Sequence, residues 1–168
     1  KVRMEALRPV YESLGLRNVQ TYIQSGNVIF RSAARNDERL AVRIEQAIER
    51  SFGFRSSVIV RSIAELREVI QRNPFRAQAG ADPRRLLVTF LATEPTPEAR
   101  EKTAAIRVEP EEIRLDGRHL YIYFPNGMGR SKLSPTLLEK TVGAIGTGRN
   151  WNTITKLLEM AEKLEAGR

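Results

Sequence analysis

Glu112-Ile113-Arg114-Leu115-Asp116-Gly117-Arg118-His119-Leu120-Tyr121-Ile122-Tyr123-Phe124 is the stretch whose pattern settles the fold. Apolar and polar residues alternate on both sides of Asp116-Gly117, and a glycine there accepts the positive φ that a two-residue hairpin turn needs. The alternation predicts Leu120, Ile122 and Phe124 on one sheet face and His119, Tyr121 and Tyr123 on the other. Before this hairpin, Leu86–Leu91 reads as an apolar strand, and Thr96-Pro97 caps and opens a short helix through Ala105. After it comes a Gly-containing loop at 126–131, then a helix opened by Ser134-Pro135 and carrying Leu137, Leu138 and Val142. The glycines of 143–148 are expected to break that helix. Trp151, Ile154, Leu157, Leu158, Ala161 and Leu164 then recur at helical spacing behind Asn150, which is expected to cap a long amphipathic helix. The order is strand, helix, strand, strand, helix.

The first half repeats this order with one element fewer. Met4, Leu7, Val10, Tyr11 and Leu14 predict a helix that Gly15 ends and that Pro9 kinks or delays. Two strands follow, at 19–23 and 28–30, around a turn at Ser25-Gly26-Asn27. Leu40, Ala41, Ile44, Ala47 and Ile48 predict a helix closed by Gly53, and β-branched content predicts a strand at 57–61. Ser62-Ile63-Ala64-Glu65 is a capping box opening a helix that Asn73-Pro74 ends. Both halves fit a β-α-β-β-α-β unit, the first without its opening strand, which is expected ahead of Lys1. The expected fold is α+β: two ferredoxin-like units in tandem, an N-terminal subdomain at 1–75, a linker at 76–84 and a C-terminal subdomain at 85–168. One continuous mixed sheet is the alternative.

Composition removes several chemistries. There is no Cys and a single His, so disulfides, thiolate zinc sites, a cysteine nucleophile and a poly-His metal centre are excluded. No bound metal or cofactor is expected. No apolar run reaches the roughly 20 residues of a membrane span, so no membrane partner is expected and the expected compartment is the cytoplasm. The 28 Lys and Arg outweigh 20 Asp and Glu, for a net charge of +8. The excess is local: 94–116 carries 4 basic and 7 acidic residues, whereas 118–156 carries 6 basic residues against Glu139 alone. A positive stretch of this kind concentrates phosphates, although an Arg-rich composition explains the global charge equally well.

Two loops in the basic stretch are the candidate site. In the first, Gly127 and Gly129 let backbone N–H groups converge on an anion, and Arg130, Ser131 and Lys132 add a charged fork, a hydroxyl and an ammonium. The spacing is not that of a Walker loop. In the second, a helix N-terminus with partial positive charge follows Arg149, and Asn150 and Trp151 stand at its start. The simpler accounts are a strand-to-helix turn, an ordinary cap and a core Trp. If the loops meet, Arg130, Lys132 and Arg149 pool around one helix end. Tyr121 and Tyr123 offer rings for base stacking, unless the sheet face is covered. Gln24, Ser25 and Asn27 at the first hairpin tip form a secondary candidate, which local turn bonding also explains.

Four fragments resemble one bacterial family. They are Tyr22-Ile23-Gln24-Ser25-Gly26-Asn27-Val28-Ile29-Phe30; Asn73-Pro74-Phe75; Tyr123-Phe124-Pro125-Asn126-Gly127-Met128-Gly129-Arg130-Ser131-Lys132-Leu133; and Thr147-Gly148-Arg149-Asn150-Trp151-Asn152-Thr153. In order and spacing the chain is similar to the family of domain of unknown function 1697. The resemblance implies two α+β subdomains in a cytoplasmic bacterial protein, with no established activity. It also implies a strand and an Arg-Gly-Ile-Asn-Val-Gly-Gly loop ahead of the first helix, a segment this sequence does not include.

Enzyme chemistry is thinly supplied. His119 is the sole imidazole, and adjacent Ser131 and Lys132 are not thereby a nucleophile and its base. The leading expectation is a non-catalytic binder of a phosphate-bearing ligand, RNA or DNA first. The alternatives are an enzyme on a small phosphorylated metabolite, and an interaction module whose broad face binds another protein or a second copy of itself.

Overall fold

The computed structural model describes residues 2–23 and 26–167. It is an α+β structure that divides into two compact units, one of Lys1–Leu66 with Lys156–Arg168 and one of Arg67–Thr155.

The first unit contains α1 (Met4–Glu12), β1 (Arg17–Tyr22), β2 (Asn27–Arg31), α2 (Asp37–Phe52) and the first turn of α3 (Ile63–Gln71). Met4, Leu7, Val10 and Tyr11 of α1 meet Leu40, Ile44, Ala47 and Ile48 of α2 in the core. Pro9 lies inside α1 but does not delay its start. β1 and β2 pair antiparallel, with a bulge between Arg17 and Gln20. Asn18 takes φ 54 in that bulge, a left-handed conformation Asn tolerates, and Val19 next to it is buried. Asn36 accepts from the Arg39 N–H to cap α2, and left-handed Gly53 closes it. Ser62 and Glu65 bond each other's backbone N–H groups, the reciprocal capping box expected at the start of α3. The strand expected at 57–61 does not form. The segment pairs with no described strand. Val58 and Val60 instead pack on the core, and the Val58 N–H bonds Glu45 Oε2 at 2.9 Å.

The second unit continues α3 from Arg67 and adds α4 (Arg76–Ala81), a 3₁₀ turn at Pro83–Arg85, β3 (Leu86–Leu91), α5 (Pro97–Ala104), β4 (Glu112–Asp116), β5 (His119–Tyr123), α6 (Pro135–Val142) and β6 (Gly146–Asn150). The first turn of α7 (Trp151–Ala166) also belongs to it. Its four strands run in the order β4-β5-β3-β6, every pair antiparallel. Residues 76–84, expected as a linker, are folded: alanine favours the helix, and Ala79 and the preceding Phe75 are buried. The hairpin closes one residue later than expected, with Asp116 opposite His119 and Gly117-Arg118 between them. Left-handed Gly143 ends α6 as expected, and Gly146-Thr147-Gly148 beyond it lies in edge strand β6. The strand runs close against β3: a Cβ at Gly146 would stand 2.7 Å from Thr89 Cγ2, too near without a shift, and one at Gly148 would press on the Leu87 side chain at 3.3 Å.

Leu120, Ile122 and Phe124 face Leu138 and Val142 of α6, as the alternation predicted. The opposite face carries Val88 beside Tyr121 and Leu86 beside Tyr123. That face is covered: Tyr121 Oη donates to the Val69 carbonyl of α3 at 2.7 Å, and the Phe75 ring stacks on Tyr123 with centroids 5.7 Å apart. Among the described residues, no helix is long and apolar enough to cross a membrane.

Candidate functional site

Register brings both predicted loops to one end of the second unit's sheet. Leu86 opens β3 opposite Tyr123, near the end of β5, and Leu87 lies opposite Asn150, the last residue of β6. The loop after β5 and the junction of β6 with α7 therefore leave the same end on either side of β3, about 10 Å apart at two strand spacings. The root of the first loop is tied in both directions to Arg85, the residue before β3. The Phe124 N–H donates to the Arg85 carbonyl at 2.8 Å, and the Arg85 guanidinium donates to the Pro125 carbonyl.

The loop itself is a 3₁₀ turn at Met128–Arg130, not an anion nest. Its N–H groups are largely used internally: Gly127 to Phe124, Arg130 to Gly127 and Ser131 to Met128. Ser131 Oγ accepts from the Leu133 N–H at 3.1 Å. Gly127 has a positive φ of 85, whereas Gly129 does not leave the ordinary range. Met128 and Leu133 pack on the Leu120–Ile122 face, which leaves Arg130 and Lys132 exposed beside them.

Arg149 is on the other face. It lies opposite Val88, which in turn lies opposite Tyr121. Its guanidinium donates to Thr147 Oγ1 at 2.7 Å and to the Gly148 carbonyl at 2.8 Å, and partial burial lowers its pKa. The loops thus share an end of the sheet, but Arg149 bonds within its own strand on the Val88 and Tyr121 face, whereas Met128 and Leu133 of the first loop pack on the opposite face. Asn150 occupies the expected role: its Oδ1 accepts from the Thr153 N–H at 2.9 Å, capping α7. Trp151 is half-buried at the helix start rather than inside the core. Tyr121 is only 1% exposed, so the ring cannot stack on a base. Burial foremost raises its hydroxyl pKa well above the ordinary value.

Two cations not singled out from the sequence belong to this end. Arg84 and Arg85 stand in the 3₁₀ turn before β3, both paired to Asp82 at 3.1 and 3.2 Å. The hydrogen bond from the Arg84 side chain foremost holds the Asp82 carboxyl below its ordinary value of 3.8. The signal is Asp82-Pro83-Arg84-Arg85, a capped turn feeding a strand, which straddles the end of the expected 76–84 linker. At the outer edge of the same sheet end, Glu112 opens β4, so acidic residues flank the basic group on one side.

Gln24 and Ser25 of the secondary candidate lie outside the described residues. Asn27 is buried, and its Nδ2 donates to the Tyr22 carbonyl at 3.1 Å, which closes the hairpin. A cavity of about 240 Å³ in the first unit is lined by Val42, Glu45, Glu49, Arg55 and Ser57 among others, none of them a predicted site residue. Among the described residues, no group of three His, Cys, Asp or Glu is placed to hold a metal ion. His119 packs edge-on against Phe90.

No curated protein matches this chain. Among solved structures it is similar to the conserved bacterial protein SP0830 from Streptococcus pneumoniae, at 22% identity over 96% of this chain and 90% of that chain, with a TM-score of 0.72. That likeness carries the fold. The family described as protein of unknown function (DUF1697) matches residues 1–121, most of the chain, and the chain belongs to that family.

Proposed function

We propose that this protein is a non-catalytic binder of a phosphate-bearing ligand, a nucleic acid first, and that it binds at the loop end of the second unit's sheet. The observation that carries the reading is that β5 ends beside the start of β3, so the loop bearing the exposed Arg130 and Lys132 leaves the sheet where the Asp82-anchored Arg84 and Arg85 enter it. Cations fixed on a folded framework lose less freedom on binding than cations on a mobile tail. Arg149, tied into its own strand on the other face, adds long-range field rather than a contact.

The same proposal includes the architecture. The second unit's strand order and helix placement support a ferredoxin-like unit, and the helix-strand-strand-helix order of the first unit supports a second copy without its opening strand.

Filter binding of single-stranded RNA at low and moderate salt tests the function. With three to four cations engaged, log affinity should fall against log salt with a slope of about −2 to −3. Arg130→Gln with Lys132→Gln should weaken binding and flatten that slope. Folded protein that fails to retain RNA at low salt overturns the reading.

A further inference from the structure

We infer that the ligand is recognised through its chain of phosphates and not through its bases; the inference rests on the binding reading above. A sheet that reads bases exposes rings on its open face, because stacking needs both a free π-face and room for the base. Here the alternation sets Tyr121 and Tyr123 on one face, where such rings would stand, and the fold then closes that face. Tyr121 is 1% exposed with its hydroxyl on the Val69 carbonyl, and the Phe75 ring stacks on Tyr123 at 25°. Arg114 lies 5.8 Å from the centroid of the Phe75 ring, adding a further layer. What the sheet end offers instead is guanidinium and ammonium groups, with Trp151 half-buried at the start of α7.

Asp82 shows the kind of group that Arg84 and Arg85 pair with. Its carboxylate sits between two guanidiniums, one oxygen accepting from Arg84 Nε at 3.1 Å and the other lying 3.2 Å from Arg85 Nε. Arginine forks of this kind match carboxylate and phosphate oxygens and carry no base information. The ligand class is therefore a linear phosphate chain, from a nucleic-acid backbone or an inorganic polyphosphate.

The test compares a single-stranded DNA oligonucleotide, an abasic oligonucleotide of equal length and inorganic polyphosphate, each titrated into the full chain at low salt. The base-bearing and abasic strands should bind within about twofold of each other, whereas a single stacked base would separate them by about tenfold or more. Tighter binding of polyphosphate than of the abasic strand, at equal phosphate number, identifies the inorganic chain; the reverse identifies a nucleic-acid backbone. A base-bearing strand that binds while the abasic strand does not overturns this inference and leaves the binding reading standing. Failure of all three to bind overturns both.

Discussion

Burial sets the protonation of two tyrosines. Tyr11 is 6% exposed in the first unit's core, and burial pushes its hydroxyl up to about 12 from 10.0. The Tyr121 hydroxyl is raised too, by burial first and by the Asp116 carboxylate second. A phenol whose folded pKa exceeds its unfolded value keeps the folded state stable up to the unfolded pKa. Above that pH the unfolded chain sheds its proton first, so stability falls. For Tyr11 the loss should amount to about 3 kcal/mol between pH 10 and 12, at roughly 1.4 kcal/mol per pH unit. Urea midpoints at pH 9 and pH 11 check it, and an unchanged midpoint at pH 11 would contradict the burial argument. The alternation of 119–124 was enough to place Tyr121 opposite Leu120. It said nothing of the Val69 carbonyl, which arrives from 52 residues away.

Strand β6 carries the clearest lesson about glycine. Gly146-Thr147-Gly148 looks like a helix breaker because glycine is the residue a turn most often needs. In the fold, both glycines lie against side chains of β3, and the small residue serves close approach. Gly146→Ala should destabilise the second unit by about 1–3 kcal/mol, since its Cβ would meet Thr89 Cγ2 at 2.7 Å and the Phe90 carbonyl at 3.2 Å. Adding Thr89→Ser removes the nearer atom and should recover part of the loss. Thermal melts of both variants measure this; equal melting temperatures for Gly146→Ala and the parent would contradict the packing. Helix caps were easier to foresee. Ser62 with Glu65, Thr96 with Ala99, Ser134 with Leu137 and Asn150 with Thr153 all form within four residues, so their chemistry is complete in the local sequence.

The proposed duplication makes a demand on the first unit. If it repeats the second, β2 corresponds to β5, the segment 57–61 corresponds to β6, and the slot between them belongs to a strand equivalent to β3. Residues 57–61 should then pair with neither β1 nor β2. Nuclear Overhauser contacts between their backbone amides and the α-protons of β1 or β2 would contradict the duplication, whereas rapid amide exchange at 57–61, except at Val58 whose N–H bonds Glu45, beside slow exchange in β3 and β5 is the expected result. Charge belongs to this level as well, because a net of +8 read from composition becomes a candidate binding surface only where strand pairing gathers part of it.

Local chemistry was readable directly from the chain: hairpin turns, helix caps and the division of β5 into two faces need partners only a few residues apart. The pairing of β6 with β3, the cover over Tyr121, the placing of Arg149 on the Tyr121 face and the lack of a described strand beside 57–61 were fixed by folding. Each depends on which distant backbone supplies a hydrogen bond or which distant side chain fills a face, and a local pattern does not encode that choice.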